Sequence, residues 1–372
     1  RLQERQVKRL DPGRLGTLIH EVLRTFIAVI EQEGISWAQL TPENAVERVD
    51  RIIDEALASL QSHRHVDTGR DRYLMESTRR TLRMAAQVIV EQMQAGRFRP
   101  VAVEAGFGRR GDSMPPWRPE GVGDVKLELR GVIDRIDRAE IDGETFVRII
   151  DYKSRKRKLY PADVLHGMDL QLVLYLAVAT ADGSRPAGAF YMPVMWPTVR
   201  RNQRLQPEEI WAEQKKEVRA QGFLAADTTV AHAMDRNVAP RQASLLFPFE
   251  LKKDGEFSAR SSVIEPKNLT ALLTLAQRRA AQMAAEILQG EHRLRPFRRS
   301  DGTRACTFCP YHAVCRFDIL IPGSEYRMLP SLRDEVVWRI IHDELGDEPD
   351  HGASAAQAQS ARAARTEVES EQ

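Results

Sequence analysis

The chain has 372 residues, of which 42% are hydrophobic and 29% charged, enough for one large domain or two small ones. This composition excludes extended disorder and fibrous repeats. The longest apolar stretch, residues 172–179, is far shorter than the roughly 20 residues that a membrane-spanning helix needs, so we expect no membrane span. The 55 Lys and Arg residues nearly balance the 53 Asp and Glu residues, so any nucleic-acid-binding surface must be local.

The N-terminus and the cysteines bear on cellular context. The chain begins at Arg1 with neither an initiator Met nor the layout of a signal peptide, so we interpret it as a fragment of a longer protein. Its three cysteines, Cys306, Cys309 and Cys315, form no disulfide framework and suit a reducing compartment. The expected location is therefore the cytoplasm.

The first hundred residues follow a helical pattern. Apolar residues recur at helical spacing over about 14–32, which predicts an amphipathic helix. Thr41-Pro42 is a typical helix start and predicts a second helix to about residue 61. A third is expected over about 70–95, ending near Gly96.

The pattern then changes to strands. Residues 101–107, 125–138 and 146–152 alternate or run apolar, and Asp142-Gly143 predicts a hairpin between the last two. The segment 108–123 is expected to be a long exposed loop, with Trp117 either buried or a surface contact.

A helix over about 161–181 and a strand over 187–194 complete an α/β core. After this strand we expect helices, notably 269–288, closed by Gly290, and 334–345. The tail from about residue 346 lacks an apolar stripe and is predicted to be disordered.

Two carboxylates and a lysine are predicted to meet on one face of a hairpin. Asp134 lies in Gly-Val-Ile-Asp-Arg-Ile-Asp (131–137), and Asp-Tyr-Lys occupies 151–153. Side chains two residues apart on a strand point the same way, so Asp151 and Lys153 share a face. Carboxylate oxygens suit Mg²⁺ or Mn²⁺, and the Tyr152 carbonyl can add a neutral oxygen. Lys153 can hold an attacking water, which indicates phosphodiester hydrolysis; the alternative is a strand pair with surface ion pairs.

Other polar residues accompany this hairpin. His20 ends the sequence Gly-Thr-Leu-Ile-His on the first helix, and Gln171 and Tyr175 occupy positions i and i+4 of a later helix. Each residue alone is commonly structural. Their occurrence together, in this order, favours a functional site.

This arrangement resembles the RecB-like branch of the PD-(D/E)XK nuclease superfamily, in particular the nuclease domain of the B subunit of AddAB-type ATP-dependent helicase-nucleases. The resemblance covers roughly residues 5–325 and includes the cysteine cluster. It implies a restriction-endonuclease-like mixed sheet flanked by helices, with N-terminal helical additions and a C-terminal iron-sulfur segment.

The resemblance also implies roles for individual residues. Asp134 and Asp151 would be metal ligands, His20 a further ligand or metal-orienting group, and Lys153 the water-activating residue. Gln171 and Tyr175 would position Lys153 or the DNA phosphate. Glu104, on the strand before the long loop, matches an acidic position often found in the family.

The cysteines are spaced C-x2-C-x5-C, which is typical of a metal site. Zinc would need a fourth ligand, and His312 could supply it. A 4Fe-4S cluster would need a fourth thiolate, whereas this chain has three cysteines. The resemblance favours the 4Fe-4S cluster, because related nucleases have their first cysteine upstream of the Gly-x-x-x-His helix, which here would lie before Arg1.

A dense basic run follows the proposed site and contains Arg155, Lys156, Arg157 and Lys158. It could bind a DNA backbone, or it could be a solvated loop. The sequence has no Gly-x-x-x-x-Gly-Lys-Ser/Thr phosphate loop, so we expect no ATP hydrolysis by this piece. The resemblance therefore implies an ATP-driven A subunit as partner, with DNA as substrate.

The prediction is a Mg²⁺-dependent DNA exonuclease domain that acts in processing double-strand breaks. We expect an N-terminal helical part (1–98), a nuclease core (99–300), a cysteine cluster with a closing helix (301–345) and a tail (346–372). The alternatives are another RecB-like exonuclease, stand-alone or CRISPR-associated, or an inactive DNA-binding scaffold with a structural zinc.

Overall fold

The computed structural model describes residues 12–61, 69–118, 127–200 and 205–346, which fall into two compact units. The first unit contains the described residues up to Arg118 together with Glu128–Leu159 and Gln171–Leu269. The second contains Leu127, Tyr160–Leu170 and the described chain from Thr270. The predicted tail lies outside the described residues apart from Gly346. In the described parts of the chain, no helix is long and apolar enough to cross a membrane.

Three helices open the first unit and confirm the predicted pattern: α1 (Pro12–Gln32), α2 (Pro42–Gln61) and α3 (Gly69–Ala95), with a 3-10 turn at Trp37–Gln39. Helix α1 buries an apolar stripe at three- and four-residue spacing, which includes Val22, Phe26 and Ile30. The Thr41 hydroxyl accepts a hydrogen bond from the Asn44 backbone N–H at 3.2 Å and so caps α2.

A six-stranded mixed sheet lies at the centre of this unit, which confirms the predicted mixed α/β class. Its strands are β1 (Arg99–Phe107), β2 (Gly131–Ile141), β3 (Glu144–Lys153), β4 (Arg185–Pro193), β5 (Gln221–Ala225) and β6 (Val263–Ile264). They lie in chain order, with β3–β4 and β5–β6 parallel and the other pairs antiparallel.

The β2–β3 hairpin turns where the sequence predicts. Asp142 and Gly143 have φ angles of 52° and 81°, as a two-residue type I′ turn requires. Strand β2 begins at Gly131, whereas the sequence predicts a strand from 125; residues 125–126 lie outside the described residues, and Leu129 forms an isolated bridge with Trp117. The loop is described to Arg118 and again from Leu127.

The sequence predicts one continuous helix over about 161–181, and this prediction is wrong because the structure has two shorter helices there. The chain forms α4 (Pro161–Leu165), leaves helical geometry at His166, and begins α5 (Gln171–Ala179) five residues later. Gly167, at φ 70°, lies in the break, and a left-handed residue does not fit within a right-handed helix. The break makes Gln171 the first residue of α5.

The helices predicted after β4 are present, but strands that the sequence does not predict lie among them. Two strands, β5 and β6, extend the sheet and alternate with α6 (Pro207–Val218) and α7 (Thr228–Met234). Strand β5 has five residues and β6 two, too short for a clear alternating pattern.

The C-terminal part confirms both predicted helices, α8 (Pro266–Leu288) and α10 (Asp334–Leu345). Between them lie a small parallel ladder of β7 (Phe297–Arg299) and β8 (Arg327–Leu329), a 3-10 turn (Ala305–Phe308) and the short helix α9 (His312–Cys315).

Two glycines should respond in opposite ways to substitution by alanine. Gly167 lies in the break between α4 and α5, and Gly16 lies inside α1. Gly167→Ala should lower the free energy of unfolding by about 1–2 kcal/mol, because its φ is positive. Gly16→Ala should raise it by about 0.5–1 kcal/mol, because Gly16 lies inside α1 with open space around its missing Cβ. Urea denaturation measures both changes. A stabilising Gly167→Ala would contradict the observed break.

Candidate active site

The β2–β3 hairpin brings Asp134 beside the Asp-Tyr-Lys segment. Arg135 pairs with Ile150, so the register continues from Asp134 to Asp151. The carboxylates of Asp134 and Asp151 are nearly buried, at 8% and 2% exposure for the residues. The Tyr152 backbone N–H donates a hydrogen bond to Asp134 Oδ2 at 2.7 Å. This bond fixes the direction of one carboxylate relative to the neighbouring strand.

Three side chains converge next to this hairpin. His20 Nδ1 lies 3.2 Å from Glu104 Oε1 and 3.4 Å from Asp134 Oδ2. One ligand atom from each of these residues lies within 4.8 Å of the others. One imidazole nitrogen with two carboxylate oxygens is a donor set that suits a divalent cation such as Mg²⁺ or Mn²⁺. The residues therefore fit a metal centre.

Glu104 has an unusual backbone conformation for a strand residue. Its φ is 47°, in the left-handed region, although its neighbours Val103 and Ala105 both pair with β2. Such backbone strain concentrates at functional sites, where the surrounding structure holds it. The conformation places the Glu104 carboxylate beside His20.

Hydrogen bonds to Asp134 and Glu104 raise the pKa of His20 to about 10. At neutral pH the metal-free site therefore contains an imidazolium between two carboxylates. A cation bound there would replace the proton on His20, since a ligating imidazole must be neutral.

Asp151 and Lys153 form the second half of the site. Lys153 Nζ lies 2.5 Å from Asp151 Oδ2, and Gln171 Nε2 donates to Asp151 Oδ1 at 3.2 Å. Gln171 also donates to the Tyr175 hydroxyl at 3.4 Å. Burial, followed by the charge of Asp134, raises the pKa of Asp151 to about 6. The structure thus brings Asp151, Lys153, Gln171 and Tyr175 together.

A glycine permits close packing at this point. A Cβ on Gly131 would lie 2.8 Å from the Phe107 ring and 3.2 Å from the Tyr175 hydroxyl. The Phe107 and Tyr175 rings also meet edge to face, with centroids 5.9 Å apart. Gly131 therefore allows β1 and α5 to approach the start of β2.

The basic run lies on the surface after β3, with all four side chains exposed. Lys156 pairs with Glu217 at 2.6 Å, and the Arg157 guanidinium lies 4.9 Å from the centroid of the Tyr191 ring. Lys153 Nζ lies 5.5 Å from the same ring. Tyr191 thus links the basic run to the site. The sequence around Tyr191 is that of an ordinary apolar strand, so no local signal identifies this residue.

The cysteines lie on two short helical turns. Cys306 is in the 3-10 turn, Cys309 follows it, and Cys315 ends α9, which begins at His312. All three are free thiols, and Cys315 is exposed. Their assembly around iron or zinc remains a prediction.

Comparison with known proteins identifies the family of this chain. The family model of the PD-(D/E)XK nuclease superfamily matches residues 1–316. The chain is 36% identical over 350 residues to the B subunit of the ATP-dependent helicase/deoxyribonuclease of Symbiobacterium thermophilum, covering 92% of this chain and 29% of that protein. It is 34% identical over 354 residues to the protein of the same name from Moorella thermoacetica, covering 93% of this chain and 30% of the relative.

The chain therefore spans about 30% of the length of the curated relatives that it matches. The family match, in contrast, covers most of the chain and includes both strands of the hairpin and the helices that carry His20 and Gln171. The chain belongs to the PD-(D/E)XK nuclease superfamily.

Proposed function

We propose that this chain is the nuclease domain of the B subunit of a helicase/deoxyribonuclease and hydrolyses DNA phosphodiester bonds with Mg²⁺ or Mn²⁺. The supporting observation is the convergence of His20, Glu104 and Asp134 beside the Asp151–Lys153 ion pair. The names of the relatives support DNA as the substrate. The setting is exonucleolytic processing of double-strand breaks in the cytoplasm.

In this proposal His20, Glu104 and Asp134 would hold the cation, and Asp151 and the Tyr152 carbonyl would supply further oxygens. When bound, the cation stabilises charge on a phosphoryl oxygen and lowers the pKa of a water.

The remaining residues orient the reacting groups. Lys153 donates a hydrogen bond to the attacking water, and its ion pair with Asp151 directs the ammonium into the site. Gln171 donates to the other oxygen of Asp151, and Tyr175 accepts a hydrogen bond from Gln171 and would contact the DNA phosphate. Each group is therefore held by a neighbour before substrate arrives.

The exposed basic run would hold the DNA backbone, since phosphate contacts from Lys and Arg dominate nucleic-acid affinity. Its residues are Arg155, Lys156, Arg157 and Lys158. An ATP-driven A subunit would supply movement along DNA.

The cysteine cluster would bind a 4Fe-4S cluster with a fourth thiolate from upstream sequence, and zinc with His312 is the alternative. The close spacing of Cys306, Cys309 and Cys315 in the sequence supports this proposal.

The test of the proposed function is degradation of end-labelled single- and double-stranded DNA, with Mg²⁺ or with EDTA. We expect loss of label from the ends in Mg²⁺ and intact DNA in EDTA. Degradation that is equally fast in EDTA, or DNA binding by the folded chain without any cleavage, would contradict the proposal.

Removing one carboxylate should weaken metal binding without disrupting the fold. Glu104→Gln keeps the size of the side chain but removes its charge, so the dissociation constant for Mn²⁺ should rise about tenfold or more. Calorimetric titration measures the change. Glu256→Gln is the control, because Glu256 is an exposed loop residue. Wild-type affinity in Glu104→Gln would remove Glu104 from the metal site.

A further inference from the structure

A buried ionic network lies behind the candidate site, on the opposite face of the same strands. Adjacent strand residues point to opposite faces, so Arg135 points away from the side of Asp134. Arg135 Nε lies 2.9 Å from Asp137 Oδ1, and Arg148 Nε donates to Asp137 Oδ2 at 2.8 Å. These three charged side chains are all fully buried.

Two uncharged groups complete the surroundings of Arg135. Its Nη2 donates to Gln92 Oε1 of α3 at 3.0 Å, and its Nη1 donates to the Tyr152 hydroxyl at 3.2 Å. Gln92 is fully buried and Tyr152 is 4% exposed. The Arg135 guanidinium therefore bonds to side chains of α3, of its own strand β2 and of β3. Such bonds are strong in a buried, low-dielectric environment.

Tyr152 is the residue that links this network to the metal ligands. Its hydroxyl accepts from Arg135, its backbone N–H donates to Asp134 Oδ2, and its ring meets the His20 ring edge to face, with centroids 6.0 Å apart. One residue thus contacts two of the three residues that converge at the site. A shift of Tyr152 would move both.

We propose that Tyr152, clamped by Arg135 and Gln92, is a positioning residue that sets the affinity of the site for its divalent cation. The inference rests on the proposed function for the presence of that cation. Groups that orient metal ligands from behind commonly change metal affinity or activity by 10- to 100-fold when they are removed. The Tyr152 hydroxyl and Gln92 both bond to Arg135 on the far side of the strands, so their effect is transmitted through His20 and Asp134.

The test compares Tyr152→Phe and Gln92→Met with the control Gln94→Met. Tyr152→Phe removes the hydroxyl and retains the ring, the backbone N–H and the carbonyl. Gln92→Met removes the helix side of the clamp with little change in size. Gln94 lies on the same helix but donates to the Trp37 and Leu40 carbonyls, away from the network. Mn²⁺ binding is measured by electron paramagnetic resonance, and melting temperature on the same samples.

We expect the dissociation constant for Mn²⁺ to rise about tenfold in Tyr152→Phe, with a smaller rise in Gln92→Met. Gln94→Met should lower the melting temperature and bind Mn²⁺ like wild type. The nuclease activity of Tyr152→Phe should then recover at high Mn²⁺, which a damaged fold would not allow.

Wild-type Mn²⁺ affinity in folded Tyr152→Phe and Gln92→Met would overturn the inference, and so would an equal loss of affinity in Gln94→Met. Should Tyr152→Phe not fold, Gln92→Met alone decides. A wild-type chain that binds no Mn²⁺ would instead contradict the proposed metal site, so the two failures are distinguishable.

Discussion

Lys153→Met should reduce DNA cleavage at least about 100-fold while the protein remains folded, since positioned proton-transfer and water-orienting groups contribute this much or more. Lys153 is about a quarter exposed and its ion-pair partner is Asp151. Methionine retains the length of the stem and removes the ammonium. The loss should appear in kcat, because Lys153 acts on the attacking water.

The matched control for this prediction is Lys252→Met, a change at a lysine whose side chain is 52% exposed. Both variants are compared with wild type in the end-labelled DNA assay after circular dichroism shows native helix content. Full activity in a folded Lys153→Met protein would exclude Lys153 from the reaction.

Asp137→Ala should lower the free energy of unfolding by about 3–5 kcal/mol, because breaking a buried ion pair leaves uncompensated charge. Asp137 pairs with both Arg135 and Arg148, and its removal would leave two guanidinium groups in the core with no carboxylate partner. Burial already lowers the pKa of Arg148 to about 10. This variant is measured by urea denaturation.

The comparison variant Arg148→Met should lower the free energy of unfolding much less than Asp137→Ala does. The Arg148 guanidinium lies 4.7 Å from the ring centroids of both Phe98 and Phe247, an environment that a methionine side chain also suits. The change leaves Arg135 and Asp137 as a one-to-one pair. Equal losses in Asp137→Ala and Arg148→Met would show that shape, and not charge balance, determines the stability of this region.

Local patterns predicted the hairpin and its polar face. The Asp142-Gly143 turn fixes the register of β2 and β3, and the period of two places Asp151 with Lys153. The period of α1 likewise placed His20 on a helix. These features depend on neighbouring residues, so a single sequence contains them.

Features that depend on distant contacts do not follow from local sequence patterns. Arg135, Asp137 and Arg148 look like residues of a solvent-facing strand pair, yet Gln92 and Phe247 from remote segments help to enclose them. The sequence does not reveal the break at His166, because Met168 and Leu170 continue the apolar pattern around Gly167. Short strands such as β6 depend on the partner strand, which local sequence does not specify.

The position of Glu104 could not be derived from periodicity, because its left-handed φ departs from strand geometry. The only local signal was an acidic residue inside an apolar strand. Its role emerges from the approach of His20, which lies 84 positions earlier in the chain.

The most direct test of the central claim is anomalous diffraction at the manganese edge from crystals grown with Mn²⁺. We predict a peak within coordination distance of His20 Nδ1, Glu104 and Asp134, which the EDTA-treated crystal lacks. A chain that binds Mn²⁺ only elsewhere, with His20 still paired to both carboxylates, would contradict the assignment of this site as the metal centre.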